Sequence, residues 1–169
     1  MPPDINEESK SEFRHGLGRL KEKLMEVLRQ LIQSEYPCEV VAIDFEVFPG
    51  TWSADFPARA FFLDSANCEH FVYVDGKAEY PSPVDPALLS GKGILTSEFE
   101  EKLFERSPDL DTFALGEQQF VPWFIDCWQR AGGGKFQRNA TAAVHGDGRE
   151  FNLITRKWQD RYAGFGHVQ

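Results

Sequence analysis

The sequence predicts an α+β fold: a single, mostly antiparallel sheet of about five strands, with a long N-terminal helix and further helices packed on one face. Three observations carry this. An apolar stripe at three- and four-residue steps fills the first thirty-odd residues. Three short segments of alternating or β-branched character follow it, with short connections. Two helical stretches and a hairpin close the chain, and this segregated order argues against a doubly wound α/β fold.

The elements read in order. Residues 1–6 are expected to be disordered. Glu7 to Glu35 reads as one helix, because Phe13, Leu17, Leu20, Leu24, Val27, Leu28 and Leu31 share a face, and Pro37 ends it. Gly16 and Gly18 weaken its first half and allow a kink or a later start. Cys38 to Phe48 reads as a strand, with Val41, Ile43, Phe45 and Val47 on a buried face and Ala42, Asp44 and Glu46 on a wet one. PGTWSADFP is a loop. Ala58 to Asp64 and Glu69 to Val74 complete an antiparallel meander, closed by Asp75-Gly76.

Residues 80–96 read as an irregular loop with a short helical turn at Pro86 to Leu89. Thr96 or Ser97 caps a helix to about Glu105. A second helix is expected over Glu117 to Ala131, so that Pro122 falls in or near its first turn, and Gly132 to Gly134 ends it. Thr141 to His145 and Arg149 to Ile154 form a hairpin around Gly146-Asp147-Gly148, and the tail from Trp158 is left unassigned. The 169 residues make one domain, with no repeat and no linker.

Composition excludes several classes. No apolar run reaches the ~20 residues a membrane helix needs, and the polar, acidic start MPPDINEESKSEF lacks a secretory pattern, so a cytoplasmic location is expected. Three cysteines, Cys38, Cys68 and Cys127, have no CxxC spacing and read as reduced, mostly buried thiols. The four histidines form no metal-ligand spacing, so neither a metal nor a cofactor is expected. No GxSxG elbow or phosphate-binding glycine loop occurs.

The net charge of −9 speaks against nucleic-acid binding. It is unevenly spread. Residues 37–86 carry −7, and residues 133–169 carry +3.

That polarity points to a basic protein partner. Asp44 and Glu46 project from one strand face. Trp52 sits in a loop beside Asp55, and Asp64 and Asp75 lie at strand ends and turns. Together they have the composition of an aromatic anchor with a charged rim. Two readings compete with this one. Trp52 can fold back onto the core, and the C-terminal bases Arg149, Arg156, Lys157 and Arg161 can pair with the acids inside the fold. A different alternative is a small-molecule-binding or enzymatic domain with a pocket between sheet and helices, lined by Trp123 and Trp128, with His145 as its polar group.

The stretch PWFIDCWQRAGG, followed by KFQRNATAAVHGDGREFNLITRKW, resembles the C-terminal part of small acidic bacterial proteins of the toxin-immunity type. The likeness rests on Trp123, Cys127, Trp128, the glycines after the helix, His145, Phe151 and Leu153. It identifies a scaffold and carries over no functional residue. It implies a non-enzymatic protein-binding domain, an immunity protein or antitoxin that neutralises a basic toxin through an acidic sheet face. The oligomeric state is left open.

Overall fold

The computed structural model describes residues 5–48, 52–53, 58–89 and 93–163. The expected fold class is found: a five-stranded, mostly antiparallel sheet with helices packed against it, plus a small second sheet.

Helix α1 spans Ile5–Gln33, so it starts inside the stretch expected to be disordered. Phe13, Leu17, Leu24, Leu28 and Leu31 of its stripe are all buried. The helix runs through Gly16 without a break. A methyl group at Gly16 would overlap the carbonyl oxygen of Ile94, so this glycine allows a loop backbone to lie directly on the helix.

Strand β1, Ala42–Val47, is an interior strand of the sheet. It pairs antiparallel with β2, Ala58–Leu63, and parallel with β5, Asn139–Val144. Strand β5 pairs with β6, Arg149–Asn152, which pairs with β7, Lys157–Asp160. The sheet order is β2-β1-β5-β6-β7.

The third strand of the expected meander is not in this sheet. After an isolated bridge between Leu63 and Glu69, the chain leaves to form a separate hairpin of β3, Val72–Val74, and β4, Lys77–Glu79. The fifth strand is instead β7, paired with β6 at the edge opposite β2, in the stretch that begins the unassigned tail. No helical turn forms at Pro86 to Leu89; Pro86 and Ala87 make a simple turn.

Helix α2, Ser97–Arg106, is capped by Thr96, whose side chain accepts from the Phe99 N–H at 3.2 Å. Helix α3 spans Thr112–Ala131 and starts five residues before the expected Glu117, because Asp111 caps it by accepting from the Ala114 N–H at 2.9 Å. Pro122 therefore lies in the helix interior. Its ring removes the N–H that would reach the Gln118 carbonyl; both residues are exposed, so water can take that carbonyl. Gly132 ends α3 in the left-handed conformation, at φ 100°.

Side-chain alternation divides the sheet. Ile43, Phe45 and Val47, with Ala58, Ala60, Phe62, Ala140, Ala142 and Val144, face the helices and are buried. The Phe45 ring meets Phe124 at 5.0 Å and Trp128 at 5.6 Å. Helix α1 packs along α3. The other face, turned away from these helices, carries the polar side chains described next.

Of the thiols, Cys127 is buried on α3, whereas Cys38 and Cys68 are exposed, which corrects the expectation that most are buried. Burial pushes the Cys127 thiol up to about 11. A thiol-reactive dye at pH 8 should therefore label Cys38 and Cys68 in the folded protein, and Cys127 only after denaturant is added. Fast labelling of Cys127 in the native state would contradict its burial.

Candidate functional site: a buried ionic network under an open cleft

The parallel register of β1 and β5 places Asp44 opposite Thr141 and Glu46 opposite Ala143. Two-residue periodicity then puts Ala42, Asp44 and Glu46 on the open face beside Asn139, Thr141 and His145. On β6 and beyond, the same face receives Glu150, Asn152, Gln159 and Arg161.

These groups form one network. The Thr141 hydroxyl donates to Asp44 Oδ1 at 2.8 Å. Arg161 Nη2 donates both to Asp44 Oδ2 and to Glu46 Oε1. His145 Nδ1 lies 2.5 Å from Glu46 Oε2. Arg161 Nε is 3.7 Å from Glu150 Oε2. Glu150 in turn accepts from Gln159 Nε2 at 2.7 Å, and Asn152 Nδ2 donates to Asn139 Oδ1 at 3.0 Å. The backbone N–H of Arg161 donates to the Gly148 carbonyl at 3.0 Å, which fixes the turn that presents the guanidinium.

All four oxygens of Asp44 and Glu46 are thus engaged by the chain itself. Asp44 is 6% exposed and Glu46 8%, so the face expected to be wet is buried. Burial of two carboxylates without a cation would cost several kcal/mol per ion. The Arg161 guanidinium, on a side chain only 14% exposed, offsets part of that penalty. The pairing of a C-terminal base with the strand acids is accordingly found, and the base is Arg161.

The two carboxyls differ in proton affinity. Burial pushes Asp44 up to about 7; Arg161 opposes the rise, and Glu46 and Glu150 add to it. Burial also pushes Glu46 up, but its hydrogen bonds to His145 and Arg161 outweigh this and hold it below its ordinary value. One carboxyl therefore holds a proton near neutrality while its neighbour stays ionised.

The sign of the pH dependence follows. A folded-state value raised above the unfolded one stabilises the fold at low pH, and that stability is lost as pH rises through about 7. Between pH 5 and 7.5 the loss should run at up to about 1.4 kcal/mol per pH unit. Asp44→Asn keeps the Thr141 contact and abolishes the titration. Its melting temperature, relative to wild type, should rise from pH 5 to pH 8; parallel curves would rule out Asp44 as the titrating group.

Above the network lies a cleft of about 440 Å³. Asp44, Glu46, Thr141, Glu150 and Arg161 line its floor, Phe61 and Leu63 form an apolar wall, and Asn67, Glu69 and Asn139 stand at the lip. Four acidic side chains and one guanidinium line it, and Glu69 also meets the Arg59 guanidinium at 3.5 Å. Among the described residues no group of three His, Cys, Asp or Glu side chains is placed to hold a metal ion.

The other predicted residues fall elsewhere. Trp52 is 1% exposed and packs edge-on against Phe13, with ring centroids 4.7 Å apart, so it is core and not an exposed anchor. Asp64 Oδ1 accepts from the N–H groups of Ala66 and Cys68, both at 2.9 Å, and thereby shapes the turn after β2. Asp75 is exposed at the tip of the β3–β4 hairpin, at φ 50°. Asp55 lies outside the described residues. The three residues of the alternative pocket are not brought together. Trp128 is buried against Phe45 and Phe136 on the helix side, and Trp123 packs on Phe120. His145 projects from the opposite face, with its ring 4.6 Å from that of Phe48.

No protein-family model matches the chain, and neither curated proteins nor solved structures give a significant match. Among the described residues no helix is long and apolar enough to cross a membrane.

Proposed function

We propose that the protein is a non-enzymatic binding domain that takes a basic protein partner on the open face of its sheet, as an immunity protein does when it neutralises a basic toxin. The cleft carries the reading: four acidic side chains, Asp44, Glu46, Glu69 and Glu150, line it with one cation, Arg161, while Arg59 reaches Glu69 at 3.5 Å. That imbalance favours a cationic side chain from outside and speeds association with a basic surface.

Chemical cross-linking and affinity capture, followed by titration with the recombinant candidate, test this. The partner should be basic, its affinity should fall with ionic strength, and Glu69→Lys should weaken it by about tenfold or more. A neutral or acidic partner, or an affinity indifferent to salt and to Glu69→Lys, would overturn the proposal.

One observation favours a second reading. The volume of about 440 Å³ and the Phe61 and Leu63 wall suit a small ligand. A thermal-shift screen separates the two, because a small cationic ligand that raises the melting temperature saturably would move the site from protein to metabolite recognition.

A further inference from the structure

The β3–β4 hairpin stands away from the main sheet, and a two-stranded ribbon alone is at best marginally stable in water. Its root is fixed: the His70 N–H donates to the Phe62 carbonyl at 2.7 Å, and Leu63 bridges Glu69. Tyr73 lies opposite Ala78 in the hairpin register. Alternation therefore puts Phe71, Tyr73, Ala78 and Tyr80 on one face. The Phe71 and Tyr80 rings meet at 5.4 Å, as that placement requires.

The face does not end at the hairpin. Arg59 Nη2 donates to the Tyr80 hydroxyl at 2.5 Å, and the guanidinium carbon lies 5.5 Å from the Tyr80 ring centroid and 5.0 Å from that of Phe61. Phe61 is the wall of the acidic cleft. An aromatic strip bridged by Arg59 thus runs from the cleft to Tyr80 and Phe71, and Tyr73, which is 72% exposed, lies on the same hairpin face. Scattered exposed aromatics are ordinary, whereas a joined strip is the composition of a binding surface. Asp75, at the hairpin tip, and Asp85 accompany it, and Glu69 pairs with the strip's own cation, Arg59, at 3.5 Å, whereas Lys77 and Glu79 fall on the opposite face of the ribbon.

We infer that this strip is the docking surface of the basic partner proposed above, taking a segment whose arginine or lysine side chains lie over the Tyr73 and Tyr80 rings with their charges toward the flanking acids. Aromatic faces attract cations, most strongly where carboxylates surround them. Arg59 already occupies such a place between Phe61 and Tyr80 within the chain. The inference rests on the basic-partner reading and adds where that partner lies.

The test uses a synthetic peptide of alternating arginine and leucine, with its glutamate counterpart as control, followed by amide chemical-shift mapping and fluorescence anisotropy. The arginine peptide should shift the amides of residues 71–80, and the glutamate peptide should not. Tyr73→Ala should weaken binding by about tenfold or more with the melting temperature unchanged, and Tyr73→Phe should bind like wild type. Shifts confined to the cleft, around Thr141 and Glu150, with Tyr73→Ala binding normally, would overturn the hairpin assignment alone. No binding of the arginine peptide anywhere on the open face would overturn both proposals.

Discussion

Arg161→Ala should destabilise the protein by about 3–5 kcal/mol at pH 8, the usual cost of removing one partner from a buried ion pair. In a domain of this size that is a fall of roughly 10 °C or more in melting temperature. The loss arises because Asp44 and Glu46 are buried with no second guanidinium within reach in the network described above. Two features separate this from a generic surface truncation. The penalty should shrink toward pH 5, where protonation of Asp44 removes one of the uncompensated charges. The double variant Arg161→Ala with Asp44→Asn should also be more stable at pH 8 than Arg161→Ala alone, a coupling expected only between groups in contact. Arg161→Lys should recover part of the loss, since an ammonium restores the charge but cannot reproduce the fork that reaches Asp44, Glu46 and Glu150 together. Equal melting curves for wild type and Arg161→Ala at pH 8 would remove the network as a stabilising feature.

The same network explains why the acidic face was only half legible in the sequence. The placement of Asp44 and Glu46 on one strand face follows from two-residue alternation. Their burial does not, because it depends on a parallel pairing with a strand almost a hundred residues away and on a base still further along. Neither register nor crossover is written locally. Strand β7 shows a different obstacle. Its turn carries no glycine: Asn152 Oδ1 accepts from the N–H groups of Ile154 and Thr155, at 3.0 and 2.9 Å, and Arg156 takes the left-handed conformation at φ 60°. A side chain replaces the usual turn signal, so the strand after it had no visible start. For helix α3, the preference of proline for a first turn points to a start near Glu117. The structure evades it by exposing both Pro122 and Gln118. What was legible were the features set within one element: the α1 stripe, the Thr96 cap, the Gly132 stop and the β5–β6 hairpin.

Trp52→Ala should cost about 3–5 kcal/mol, the range for truncating a large aromatic in a packed core. Its loop reads as exposed because turn residues surround it, but Trp52 itself packs against Phe13 of α1 and Gly116 of α3. The Trp52 carbonyl accepts from the Leu95 N–H at 3.0 Å, and the indole packs on Phe13. It also lies so close to Gly116 that a methyl group there would sit 2.8 Å from the ring. The indole N–H, buried with no hydrogen-bond partner among the described residues, supplies a finer test. Trp52→Phe removes an unpaired donor along with some volume, so its cost should be well below that of the alanine variant. Gly116→Ala should destabilise in the opposite sense, by overfilling the same site, at about 1–3 kcal/mol. A Trp52→Ala protein that melts like wild type yet loses its partner would return Trp52 to the surface as an anchor. A protein that melts early at every pH, in contrast to the pH-graded loss expected for Arg161→Ala, would mark Trp52 as apolar core and leave Tyr73 as the aromatic anchor for binding.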